Sequence, residues 1–145
     1  MRIVLDTNIL VQALLSSKGA SNYILQCVLK RKLELALSTA VFHEYEDVLS
    51  RAYLLNKMDY LSEKQVLKLL ATLRMIAYHQ LIYYQLRPNL KDEKDNLFVE
   101  LAFASQVSYL VTSNVRDFKN SDLKIDNFIV ISPANFVKEW RKSHE

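Results

Sequence analysis

The sequence predicts an α/β fold built on a mainly parallel sheet that helices cover on both faces. Short apolar runs rich in β-branched residues alternate with longer segments of helical periodicity, which is the pattern of parallel strands joined by crossover helices. Half of the 145 residues are hydrophobic, enough to bury the core of one domain. No repeat, low-complexity tract or Gly, Ser or Pro-rich linker divides the chain, so we expect residues 1–145 to form a single domain.

The first half of the chain predicts two strands and three helices. Arg2-Ile3-Val4-Leu5 is an apolar, β-branched run that predicts a buried strand. Helices are predicted over 9–15 and 20–30, the second ending in cations that suit the negative end of the helix dipole. Glu34–Ser38 alternates as a strand does, and apolar residues at helical spacing then predict a helix from Thr39 to Tyr53.

The second half predicts three helices and two strands, with an ambiguous tyrosine-rich segment at 78–86 that is compatible with a strand at its end. The spacing of Ser62 and Gln65 is that of a capping box at a helix start. Ser132-Pro133 places a preferred N-cap and a preferred first residue at the start of a closing helix. The predicted elements are helices over 62–78, 95–106 and from 132 onward, and strands over 109–112 and 128–131.

Composition excludes several classes of site. Gly19 is the single glycine, which excludes a P-loop and a G-x-G-x-x-G dinucleotide motif. Cys27 is the single cysteine, which excludes an internal disulfide, a thiolate zinc cluster and a C-x-x-C redox pair. We expect a reducing, cytoplasmic compartment, and no apolar run long enough to span a membrane is visible. The net charge of +3 gives a mild bias toward polyanions.

Acidic and amide side chains follow the predicted strands at the edge where parallel strands end. Asp6 comes directly after the first strand, and comparable positions hold Asp92, Asp95, Asn114 and Asp117. Functional groups collect beyond the carboxyl ends of such strands, so we expect these side chains at one edge. Carboxylates brought together repel unless a cation lies between them, and Mg²⁺ or Mn²⁺ prefers oxygen ligands. A simple helix cap is an equally good interpretation of Asp6.

The predicted helix over 39–53 carries three acids whose directions differ. At about 100° per residue, Glu44 and Glu46 fall on opposite borders of the apolar face, whereas Asp47 points furthest from it. Helical geometry therefore demotes Asp47 and leaves Glu44 and Glu46 as alternatives.

Polar neighbours of these acids have two interpretations each. Thr7, Asn8 and Ser113 are candidates to orient ligands or waters, and capping explains Thr7 and Asn8 equally well. Arg51 and Arg116 are candidates either to hold a phosphate or to pair with a carboxylate.

Four blocks of sequence resemble the PIN domain family, in the family's order and over essentially the whole chain. They are Val4–Leu10, Ser38–Arg51, the run Lys91–Asn96 with Leu101-Ala102 and Tyr109–Phe118, and Ser132–Phe136. The chain is most similar in character to small single-domain PIN proteins that act as toxins of prokaryotic toxin–antitoxin pairs. The resemblance implies a three-layer α/β/α sandwich around the mainly parallel sheet.

The resemblance also implies a site. Matched by position, Asp6, Glu44 and Asp95 would be metal-binding carboxylates, which selects Glu44 over Glu46. Many relatives have Asp where this chain has Asn114, so Asp117 is the nearest remaining candidate for the fourth acid. Lys94 also stands where an acid is common, which is compatible with a weaker or single-metal site. The supporting residues would be Thr7, Asn8, Asp92, Ser113, Asn114 and Arg116.

The activity implied is that of a Mg²⁺- or Mn²⁺-dependent ribonuclease that hydrolyses single-stranded RNA, with a small antitoxin and a second copy of the chain as partners. The alternative is a catalytically weak or inactive PIN-fold protein that binds RNA or protein. A phosphate-transfer enzyme of the haloacid dehalogenase type is disfavoured, because Asn8 stands where that chemistry needs a second Asp. A phospho-receiver domain is disfavoured too, because paired acids after the first strand are not evident.

Overall fold

Strands and crossover helices alternate through the structure. The structure, a computed structural model, describes residues 1–51, 56, 61–82, 93–119 and 127–144. In these residues the strands are β1 (Arg2–Leu5), β2 (Glu34–Leu37), β3 (Tyr78–His79), β4 (Tyr109–Val111) and β5 (Ile129–Ile131). The helices are α1 (Thr7–Leu15), α2 (Ala20–Leu29), α3 (Thr39–Leu49), α4 (Glu63–Ile76), α5 (Glu93–Ser105), α6 (Val115–Lys119) and α7 (Pro133–His144).

The described strands form one sheet in the order β3-β2-β1-β4-β5, and all neighbouring pairs are parallel. The predicted α/β fold with a mainly parallel sheet is therefore confirmed. The register pairs Ile3 with Leu35 on one side and with Tyr109 on the other, so β1 is the central strand. The two outer strands are short, with two residues in β3 and three in β5.

Helices cover both faces of the sheet, which gives the expected α/β/α layering. Ile3, Val4 and Leu5 point alternately to opposite faces, and all three are fully buried. A strand buried on both faces reads as a continuous apolar run, which is why β1 was recognisable from its sequence. On α5, Leu101 and Ala102 are also fully buried, so this helix lies deep in the structure.

Capping signals located two helix starts correctly, whereas α1 and α5 begin at Thr7 and Glu93, two residues before the predicted Ile9 and Asp95. Ser62 and Gln65 form the predicted capping box, with the Ser62 N–H donating to Gln65 Oε1 at 2.9 Å and the Gln65 N–H donating to Ser62 Oγ at 3.2 Å. Ser132 Oγ accepts from the Asn135 N–H at 3.2 Å, as expected of the N-cap of α7. Ser38, predicted as the last residue of a strand, instead caps α3 by accepting from the Val41 N–H at 3.2 Å.

Helix ends differ more from the predictions. α3 ends at Leu49, so the predicted extension to Tyr53 is not seen as far as Arg51, and 52–53 lie outside the described residues. The tyrosine-rich segment has a strand at its start, Tyr78–His79, and its end at 83–86, where the sequence is compatible with a strand, lies outside the described residues. Within the described ranges, no helix combines the length and hydropathy that a membrane span requires.

Candidate functional site

Asp6 lies at the carboxyl end of the central strand and is 7% exposed. Its backbone has the extended conformation of an N-cap, with φ −63° and ψ 149°, yet its side chain makes no capping hydrogen bond to α1. Instead, Asp6 Oδ2 accepts a hydrogen bond from Thr112 Oγ1 at 2.7 Å. Helix capping therefore does not explain why a carboxylate is buried here, and the functional interpretation gains weight.

Thr112 connects Asp6 to the loop that follows β4. It is fully buried, and its hydroxyl both donates to Asp6 and accepts from the Asn114 N–H at 3.0 Å. The Asp117 N–H in turn donates to the Asn114 carbonyl at 3.0 Å. A short chain of hydrogen bonds thus orders the loop that carries Asn114 and Asp117 around the buried carboxylate.

Sequence reasoning did not single out Thr112 as a site residue. The available signal was its position, one residue past the buried strand β4, which pairs with β1 in parallel register. Residues that follow neighbouring parallel strands share one edge of the sheet, so a hydroxyl there faces whatever follows β1.

Tyr45 fixes α3 against the same strand end. Its hydroxyl donates to the Leu5 carbonyl at 2.6 Å, and the whole side chain is buried. Burial raises the pKa of Tyr45 well above its ordinary value, and the nearby negative charge of Asp6 raises it further. Glu44, the predicted metal ligand from this helix, is the half-buried residue that precedes Tyr45.

Of the other two acids of α3, Asp47 is exposed and Glu46 is half-buried, as Glu44 is. Asp47 Oδ2 is 3.3 Å from Arg51 Nη2 in an exposed ion pair, as the helical geometry predicted for the demoted acid. Glu46 Oε1 is 3.4 Å from His43 Nδ1. Of the two interpretations of Arg51, the structure thus favours carboxylate pairing.

Helix α5 brings Asp95 and two buried polar residues toward α3. The rings of Phe98 and Tyr45 have centroids 6.4 Å apart, and Asp95, one turn before Phe98, is half-buried. Asn96 and Glu100 are only 4% and 5% exposed. Sequence reasoning used Asn96 only as a helix-start signal and overlooked Glu100, the single charged residue within the apolar stretch Leu97–Ala104 of the helix.

Among the residues that the structure describes, the buried oxygens without a hydrogen-bond partner include Thr7 Oγ1, Asn8 Oδ1 and Asn96 Oδ1. A buried polar atom without a partner costs about 1–3 kcal/mol, so such atoms commonly mark places where a water or an ion binds. Thr7 and Asn8 directly follow Asp6, and Asn96 directly follows Asp95. The buried oxygens without a partner therefore belong to residues that directly follow two of the predicted metal-binding carboxylates in the sequence.

The carboxylates that the structure describes do not form a preassembled metal site. Across the described ranges, no group of three or more His, Cys, Asp or Glu side chains lies close enough to hold one ion. Like-charged carboxylates repel without a cation between them, which favours such a separation. The available ligand atoms are carboxylate, hydroxyl and amide oxygens, and these are the atom types that Mg²⁺ and Mn²⁺ prefer. A shared ion at Asp6, Glu44 and Asp95 stays a prediction.

The remaining predicted residues are distributed around the β4 loop. Ser113, Asn114, Arg116 and Asp117 are exposed, the last two on the five-residue helix α6. Asp92 lies outside the described residues. The prediction that Asp117 replaces the acid missing at Asn114 is not tested by these positions.

Comparisons with known proteins agree with this architecture. A family model described as PIN domain matches residues 2–116. An uncharacterized protein of Methanocaldococcus jannaschii is 29% identical over 158 aligned positions, which cover 98% of this chain and 93% of that protein. The solved structure of VapBC2 from Rickettsia felis bound to a DNA fragment from its promoter matches with a TM-score of 0.58 and 23% identity, covering 91% of this chain and 98% of that chain.

Replacing Thr112 by Val should destabilise the protein by about 1.5–3 kcal/mol, because Asp6 loses a donor and the Asn114 N–H loses its acceptor. Thr112→Ser is the matched control, since it keeps the hydroxyl and loses only a methyl group worth about 0.8 kcal/mol. Urea unfolding of both variants measures the difference. Equal losses for Val and Ser would show that the hydroxyl contributes nothing.

The raised pKa of Tyr45 predicts a loss of stability in alkali. Because the pKa is higher in the folded state than the unfolded value of about 10, the unfolded chain releases its proton first. The contribution of Tyr45 to the free energy of unfolding is complete below pH ~10, and above that pH it falls by up to about 1.4 kcal/mol per pH unit. The difference in unfolding free energy between the wild type and Tyr45→Phe should therefore shrink above that pH, and a constant difference would contradict the assignment.

Proposed function

The chain belongs to the PIN domain family, and we propose that it is a metal-dependent endoribonuclease, the toxin component of a toxin–antitoxin module. PIN domains are generally nucleases and generally use divalent metal ions. The observation that carries the proposal is Asp6, a carboxylate buried at the carboxyl end of the central strand, held by Thr112 and not used as a cap.

Four acids would hold Mg²⁺ or Mn²⁺ in this proposal: Asp6, Glu44, Asp95 and Asp117. The bound cation would lower the pKa of a water and stabilise charge on the phosphodiester oxygens. The supporting residues would orient waters or the phosphate, and they are Thr7, Asn8, Asp92, Ser113, Asn114 and Arg116. Three of them have support in the structure: Thr7 and Asn8 have buried oxygens without a partner among the described residues, and the Asn114 N–H is tied to Asp6 through Thr112.

The protein's own residues would act mainly by holding Asp6 in position. The Thr112 hydroxyl donates to one oxygen of the carboxylate. A carboxylate fixed in this way loses little further freedom when a cation binds. The burial of Tyr45 and its bond to Leu5 hold α3, the helix that carries Glu44, against the end of β1.

The structure to which this fold is similar supports a proposal for a protein partner. VapBC2 was solved bound to a DNA fragment from its promoter, and the match spans almost the whole of both chains. This supports a cognate antitoxin as the partner of the present chain. A homodimer and a cytoplasmic location complete the proposal, as in the family that the sequence resembles.

The second candidate is a PIN-fold protein that binds RNA or protein without cutting. Two observations favour it: described carboxylates form no group of three or more, and Asn114 and Lys94 stand where acids are common in the family. RNA binding that is equal with and without Mn²⁺, with no cleavage, would select this candidate.

Asp6→Asn and Asp95→Asn should each lower Mg²⁺- or Mn²⁺-dependent cleavage of a defined single-stranded RNA by at least about 100-fold, since even residues that only support a metal ligand cost 10–100-fold. Asp47→Asn is the matched control, because this acid lies on the exposed side of α3 and pairs with Arg51. Full activity in both site variants, once contaminating nuclease is excluded, would refute the nuclease proposal. Asn114→Ala and Asp117→Asn, measured side by side, identify which of the two serves the fourth position.

Metal binding should also be visible without catalysis. A cation that binds only the folded state at 100 times its Kd adds about 2.7 kcal/mol to stability, which raises the melting temperature by several degrees. Thermal melts with Mn²⁺ should show this rise in the wild type and in Asp47→Asn, but not in Asp6→Asn. A rise of the same size in Asp6→Asn would place the cation elsewhere.

A further inference from the structure

A cationic cleft lies between α2 and α7, apart from the acidic edge. Its volume is about 440 Å³, within the usual range for ligand sites. Four cations line it, from the start of α2, the turn after α2 and the last part of α7: Lys18, Lys30, Lys32 and Arg141. None of the described residues that line the cleft is acidic.

The walls of the cleft are held in place by specific contacts. Arg141 Cζ lies 4.8 Å from the centre of the Tyr23 ring, which joins α7 to α2. Asn22 Nδ2 donates to the Ala13 carbonyl at 2.9 Å and Ser21 Oγ donates to Gln12 Oε1 at 2.9 Å, so the start of α2 is anchored on α1. These contacts hold the start of α2 on α1 and Arg141 on α2.

The beginning of α2 adds to the positive potential. Its N-cap is Gly19, which has no side chain to satisfy the first N–H groups of the helix. The positive end of the helix dipole thus faces the region that Lys18 already lines. The three lysines are exposed, so their ammonium groups can reach a large ligand.

We infer that this cleft binds the phosphate backbone of single-stranded RNA, an inference that rests on the proposed ribonuclease function. Without a bound cation the acidic edge repels a polyanion, so cations away from that edge add affinity for RNA. Lys30 and Lys32 lead from α2 into β2, whose first residue, Glu34, donates its N–H to the Met1 carbonyl at the start of β1. The cleft would therefore hold a part of the RNA that lies away from Asp6, which follows the other end of β1.

The test compares two charge-matched double variants in the Asp6→Asn background, where RNA is bound without being cut. Lys30→Gln with Lys32→Gln changes the cleft, and Lys64→Gln with Lys68→Gln removes the same charge from exposed positions of α4. The probe is a fluorescently labelled oligouridine, and its Kd is measured over a series of salt concentrations.

The cleft variant should bind the oligouridine at least about tenfold more weakly at 50 mM salt, and the slope of log K against log salt should fall by about 1.4, or about 0.7 for each lost phosphate contact. The α4 variant should keep both values. Equal behaviour of the two variants would overturn the inference. A poly-glutamate peptide that displaces the RNA from the cleft at a lower concentration than unlabelled oligouridine would also overturn it, by assigning the cleft to an acidic protein segment.

The two proposals fail differently. If the otherwise wild-type chain cuts RNA and both double variants, made in that active chain, cut it equally well at every salt concentration, only the cleft assignment is lost. If the wild type neither cuts nor binds RNA, the ribonuclease proposal is lost together with the cleft assignment that rests on it.

Discussion

The end of the central strand is the constraint on which the candidate site depends. Two hydrogen bonds made there come from distant parts of the chain: Tyr45 donates to the Leu5 carbonyl and Thr112 donates to the Asp6 carboxylate. The first ties α3 to β1 and the second ties the β4 loop to β1. β1 is buried on both faces and paired on both sides, so both bonds attach to a rigid strand. Asp6 is therefore held in place by a residue that is distant in sequence.

Much of this fold could be predicted because its information is local. A continuous apolar run identifies a strand buried on both faces, and the capping signals at Ser62 and Ser132 mark helix starts through bonds that span only three residues. Helix ends were less predictable. The apolar periodicity of α3 continues in the sequence past Leu49, so the spacing contains no signal for the end of the helix.

The sequence predicts which residue types form the candidate site and at which edge of the sheet they lie, but it does not predict the hydrogen bonds between them. Parallel strands bring Asp6 and the β4 loop to one edge, which the strand order alone implies. The bond from Thr112 to Asp6 spans 106 positions, and the one signal for it is that each residue directly follows one of two neighbouring parallel strands. The buried Asn96 and Glu100 were missed for a related reason, because their burial depends on how α5 lies in the assembled domain and not on their neighbours along the chain.

The short outer strands restrict how other chains can attach. β3 and β5 offer only two and three residues at the borders of the sheet, too few unpaired backbone groups for a foreign strand to lengthen the ladder. Strand addition is therefore a poor mode of recognition for the described part of this domain. We instead expect this domain to contact its partners through the side chains of its outer helices. Substitutions on those helix surfaces can then change which of several related partners binds, and they leave the hydrogen-bonded sheet intact.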